Sequence, residues 1–136
     1  NFLENLRGRG YKSAICLVRG QKDPALNGYW QVKRATVRRN VAVDCRYAFQ
    51  VNYGSSTQVM PVVETVIENN VVSLSSAGDY AVNCAAEPAA DIDWRDNTIY
   101  GGRQVGVELP VAAQKPELPR VAGAVENIRR AAGINW

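Results

Sequence analysis

Apolar and polar residues alternate without a break from Val41 to Tyr53. Val41, Val43, Cys45, Tyr47, Phe49, Val51 and Tyr53 fall on one side, and Ala42, Asp44, Arg46, Ala48, Gln50 and Asn52 on the other. Period two with β-branched and aromatic residues predicts a half-buried strand, long enough to bend or to cross a whole sheet. Tyr11–Arg19 reads as an earlier strand, and Tyr29–Val37 as a strand returning after a loop that holds Asp23-Pro24 and Asn27-Gly28. A bulge or turn near Arg38-Arg39-Asn40 is expected, because the apolar parity switches there from even to odd positions.

Val62–Leu74 is ambiguous between a helical stripe and two strands. Its density of β-branched residues, and Asn69-Asn70 at its centre, favour a hairpin. Tyr80, Val82 and Cys84 predict a short strand, Ala85–Asn97 a surface loop, and Ile99–Val111 a strand bent at Gly101-Gly102. Leu118, Val121, Ala122, Val125, Ile128 and Ala132 follow helical spacing. Pro119 suits a first turn and Gly133 a C-terminal cap, so an amphipathic helix is expected over about 117–132. No internal repeat is legible. The fold class that follows is mainly β (α+β): one domain over 1–136, an antiparallel sheet of about six or seven strands and one C-terminal helix.

Composition narrows the chemistry. With 46% hydrophobic and 21% charged residues, the chain is globular rather than disordered. Its longest apolar cluster, 62–74, is interrupted by Glu64, Glu68, Asn69 and Asn70, so no membrane span is expected. The chain opens on Asn1 without a signal-like apolar core, which fits a cytosolic protein lacking its start or a processed mature form. Histidine is absent, which excludes Ser-His-Asp and Cys-His catalysis and His-liganded metals; no cofactor or metal is expected. Cys45 and Cys84 fall on inward faces of different strands and are a candidate disulfide, with buried free thiols as the alternative.

Charge is distributed unevenly. Residues 1–50 carry ten Lys/Arg against Glu4, Asp23 and Asp44, whereas residues 51–100 carry Arg95 against seven carboxylates. Such separation suits a polyanion, or copies of one chain meeting head to tail. Lys33, Arg34, Arg38, Arg39 and Arg46 are the candidate nucleic-acid contacts, able to pair with successive phosphates. Tyr29, Trp30 and Tyr47 would stack on bases if they point outward, although alternation turns Tyr47 inward. The plainer reading of this cluster is a solvated face, partly neutralised by the acidic middle of the chain. Carboxylate catalysis would need a pair such as Glu64 with Glu68, or Asp91 with Asp93, and nothing in the sequence marks a cleft around either.

Three short stretches carry a resemblance. Tyr11-Lys12 followed by Cys16 and Val18-Arg19, then Gly106–Ala113, then the ending Gly133-Ile134-Asn135-Trp136 resemble segments of the coat proteins of single-stranded RNA bacteriophages. The resemblance implies β-sheet dimers with C-terminal helices, binding an RNA hairpin on the sheet face. The leading expectation is therefore a non-enzymatic homo-oligomeric assembly protein, most specifically a small virion coat-like protein whose basic region faces RNA or another polyanion. Val121, Val125, Ile128 and Trp136 are its candidate oligomer contacts. The alternative is a secreted or periplasmic β-rich binding, adaptor or pilus-type module with a disulfide. A virion or an extracellular or periplasmic setting follows from either.

Overall fold

The structure, a computed structural model, describes residues 1–9, 12–87 and 90–118. Its strands are β1 (Phe2–Glu4), β2 (Ser13–Val18), β3 (Thr36–Arg38), β4 (Val41–Val43), β5 (Tyr47–Tyr53), β6 (Thr65–Glu68), β7 (Val71–Ser73), β8 (Tyr80–Cys84), β9 (Ile92–Arg95), β10 (Thr98–Tyr100) and β11 (Arg103–Val105). They form three sheets, ordered β1-β4-β7-β10, β11-β8-β5-β2 and β3-β6-β9. Every strand pair is parallel. The chain visits the three sheets in rotation, so it coils as a parallel β-solenoid and each circuit stacks on the last. Val111 bridges Ile99 in parallel, which brings the chain back to the first sheet after β11.

This architecture overturns the expected antiparallel sheet. Alternation is the same for parallel and antiparallel partners, and Ala42, Ala48 and Asn52, which it puts on the outer side, are buried. The Val41–Tyr53 run is two strands in different sheets, β4 and β5, broken where Asp44 turns at φ +48°. Val62–Leu74 is not a hairpin: Asn69, at φ +52°, turns the corner from β6 into β7 of another sheet. Tyr29–Val37 supplies only the start of β3, and the expected loop 85–97 contains β9. The described residues include no helix. The expected helix over 117–132 lies outside the described residues from 119 onward, as do Val121, Val125, Ile128 and Trp136. The antiparallel coat-type sheet implied by the resemblance is not the fold of this chain.

A repeat is present after all. Arg38-Arg39-Asn40-Val41, Glu68-Asn69-Asn70-Val71 and Arg95-Asp96-Asn97-Thr98 occupy equivalent places in successive turns. The second residue of each has positive φ: Arg39 +56°, Asn69 +52° and Asp96 +52°. The asparagine that follows is stacked in a ladder. Asn1 Nδ2 donates to Asn40 Oδ1 at 2.7 Å, Asn40 Nδ2 to Asn70 Oδ1 at 2.9 Å, and Asn70 Nδ2 to Asn97 Oδ1 at 2.9 Å. Asn70 Oδ1 also accepts from the Asn40 backbone N–H, and Asn97 Oδ1 from that of Asn70. The ladder therefore satisfies backbone groups that each corner takes out of the sheets, which buried backbone requires.

The interior of the coil is the core. Phe49, Val51, Val62, Ile67, Val72, Val82 and Ile99 are fully buried, and Phe49 meets Trp94 edge-on with ring centres 5.5 Å apart. Cys45 and Cys84 are buried and Cys16 is exposed; all three are free thiols, and no disulfide joins Cys45 to Cys84. Burial pushes the Cys84 and Cys45 thiols up, so both stay protonated and poorly nucleophilic near neutral pH. No helix among the described residues is long and apolar enough to cross a membrane.

Candidate polyanion-binding surface

The first turn of the solenoid carries a long excursion between β2 and β3, and local chemistry fixes its shape. Gly20 and Met60 exchange two backbone hydrogen bonds of 2.8 Å, tying the excursion to the loop after β5. A side chain at Gly20 would collide with the backbone of Gln31 and lie 2.8 Å from the Trp30 carbonyl carbon, so glycine is required there. The Gln21 N–H donates to Tyr29 O at 2.8 Å, and Gln31 Nε2 donates to Pro61 O at 2.8 Å. These ties leave Tyr29 50% and Trp30 61% exposed, with Leu26 at the tip and Val59 beside them on the neighbouring loop also exposed. Large apolar side chains presented on a braced loop are unusual on a surface with no partner.

The cations follow directly. Lys33 bridges in parallel to Val63, which brings Lys33 and Arg34 beside Glu64 on the next turn. Lys33 Nζ lies 2.8 Å from Glu64 Oε1 and Arg34 Nε 3.4 Å from Oε2. The Lys33 hydrogen bond, with the charges of Lys33 and Arg34, holds the Glu64 carboxyl below the usual glutamate range. One carboxylate thus serves two cations, and both remain substantially open to solvent, at 44% and 76%. Arg38 on β3 and Arg39 at the following corner are exposed and make no ion pair among the described residues.

Arg46 does not join them. It sits at the corner between β4 and β5, donating from Nη1 to Gly78 O at 2.7 Å and to Asp79 at 3.3 Å. Tyr47 is half-buried and stacked on Tyr80, so the sequence's third stacking candidate is already occupied. Lys33, Arg34, Arg38 and Arg39 thus lie exposed along one stretch of the first turn, a few residues after exposed Tyr29 and Trp30, whose outward direction alternation could not settle. No family model, curated protein or solved structure matches this chain.

Of the candidate carboxylates, Glu64 and Glu68 are engaged elsewhere. Glu64 is held as described, and Glu68 accepts from Arg95 Nε at 3.0 Å. Asp91 and Asp93 are exposed on and beside β9. Among the described residues no group of three Cys, Asp or Glu side chains is placed to hold a metal ion.

Proposed function

We propose that this chain is a binding module for an extended anionic polymer, and that the polymer is an acidic polysaccharide. The observation that carries the reading is the exposure of Tyr29 and Trp30 on a braced loop that runs, a few residues later in the chain, into exposed Lys33 and Arg34. Exposed aromatic rings offer flat apolar faces to sugar rings, and amides such as Gln21 and Gln31 border them. The cations are interspersed with a carboxylate, Glu64, rather than massed. That pattern suits a chain with widely spaced anions and many hydroxyls better than the continuous phosphates of RNA.

Titration of the intact chain with polygalacturonate and with single-stranded polyuridylate, followed by tryptophan fluorescence, tests it. Polygalacturonate is expected to bind more tightly, with affinity falling as salt rises. Trp30→Ala is expected to weaken binding about 10- to 100-fold, the usual worth of one aromatic stacking contact. Preference for the RNA would overturn the polysaccharide assignment, and binding of neither would remove the polyanion reading.

A second reading, homo-oligomeric assembly, draws on the axial order of charge. A solenoid maps chain position onto axial position, so the cations of residues 1–39 gather in the first turn and the carboxylates of 51–100 in the next two. Regions of opposite charge along one axis favour head-to-tail contact between copies. Light scattering across a salt series is expected to find oligomers that dissociate as salt rises. A monomer at every salt concentration would count against assembly, and the ultraviolet absorbance ratio of the same peak reports any packaged nucleic acid.

A further inference from the structure

A second cationic cluster lies where β4, β7 and β10 turn into β5, β8 and β11. Asp79 is 1% exposed and is held by Arg7, from the first turn, through both guanidinium Nη atoms. Arg46, from the second turn, reaches the same carboxylate at 3.3 Å. Tyr47 and Tyr80 stack beside them with ring centres 5.1 Å apart. Arg103 lies over Tyr80, 4.9 Å from its ring centre, and donates from Nη1 to the Tyr80 hydroxyl at 3.1 Å. Arg46 sits 5.5 Å from the same ring centre.

The arrangement holds more positive charge than it neutralises. Two guanidinium groups, those of Arg7 and Arg46, share buried Asp79, and Arg103 pairs with no carboxylate among the described residues; the nearby Asp44 carboxylate is turned to the Ser75 backbone N–H at 2.8 Å. Asp79 has both oxygens occupied. The remaining Nη2 and Nε donors of Arg46 and Arg103 make no hydrogen bond among the described residues. The Tyr80 oxygen accepts from Arg103, which leaves its own proton to donate. Two arginines beside the Tyr80 ring, with donors free and backbones pinned by Tyr80 N–H to Arg46 O and Arg103 N–H to Asp79 O, offer donors to an anion.

We propose that this corner binds a single tetrahedral oxyanion, phosphate or sulfate, through Arg46, Arg103 and the Tyr80 hydroxyl. Arg7 and Asp79 are positioning residues that fix Arg46. Phosphate and sulfate, with four oxygens arranged tetrahedrally, can accept from several such donors at once, which the two coplanar oxygens of a carboxylate do less well. The site is separate from the Trp30 surface and does not depend on what binds there.

The test is calorimetric titration of the intact chain with inorganic phosphate, and separately with sulfate, at constant ionic strength, with acetate and chloride as controls. Phosphate or sulfate is expected to bind with a dissociation constant on the order of 1 mM. Arg103 is exposed on an edge strand, so Arg103→Met should fold; it is expected to weaken binding at least about tenfold while leaving polygalacturonate binding unchanged. Arg103→Lys should recover part of the loss, and Tyr80→Phe should lose several-fold while keeping the ring stack. Arg34→Met separates the two sites: it should leave phosphate binding intact. An equal response to chloride and phosphate, or wild-type affinity in Arg103→Met, would overturn the proposal.

Discussion

Asn70→Ala is expected to destabilise the protein by about 3 to 5 kcal/mol, more than any surface change. Asn70 is 1% exposed and stands in the middle of the ladder. Its Oδ1 accepts from the Asn40 backbone and side chain, and its Nδ2 donates to Val37 O and Asn97 Oδ1. Truncation leaves the buried Asn40 N–H without its acceptor and takes a donor each from the part-buried Val37 carbonyl and Asn97 Oδ1. A buried orphan of this kind costs about 1 to 3 kcal/mol. Asn69→Gly is the control one residue away: glycine adopts φ +52° freely, so its effect should stay within about 0.5 kcal/mol. Equilibrium urea unfolding compares the two, and a cost below about 1 kcal/mol for Asn70→Ala would show that the ladder is not the brace described here.

The second large effect is expected at Gly101. Its φ of +69° costs an alanine about 1 to 2 kcal/mol by itself. The added Cβ would also run into the Leu74 carbonyl oxygen of the turn below, a backbone atom that cannot swing aside. Leu74 N–H donates to Tyr100 O at 2.9 Å at this junction, so the collision prises the last turn from the one beneath it. Gly101→Ala should therefore cost about 2 to 4 kcal/mol in total. Amide exchange at Leu74 is expected to rise more than at Ile67, deeper in the coil. Gly78→Ala is the counterpart: the new Cβ would sit 3.6 Å from its nearest neighbours, and the change should be neutral or slightly stabilising. Equal destabilisation by the two substitutions would contradict this account of the corner.

The candidate surface was half legible before folding. Lys33, Arg34, Arg38 and Arg39 stand out as a run of cations, and they end together because they are close in the chain. Arg46 stands equally near in sequence, yet a corner at Asp44 swings it into another sheet, where Asp79, 33 residues later, captures it. Nothing local to Arg46 announces a partner one full turn away. Tyr29 and Trp30 were recognisable as stacking groups, but their direction depends on how Gly20 and Gln31 tie the loop to the neighbouring turn. The repeat is not legible in the sequence because its successive asparagines are 30 and 27 residues apart and little else is shared between turns.

The sequence by itself determined part of the core and some of the corners, but not the burial of Ala42, Ala48 and Asn52, which alternation puts outside, nor the corner at Asp44. Val43, Phe49 and Val51 follow from alternation, and Asn69 and Gly101 mark corners because asparagine and glycine tolerate positive φ. Strand partners were decided only by the tertiary structure. A period of two is shared by parallel and antiparallel pairs, so alternation near Val41 cannot say whether β4 meets its sequence neighbour β5 or, as it does, β7 from the next circuit. That choice is made by stacking whole turns. It sets the asparagine column in register, gathers the cations of the first circuit at one level of the coil, and closes Arg7, Arg46 and Asp79 into one cluster from three turns.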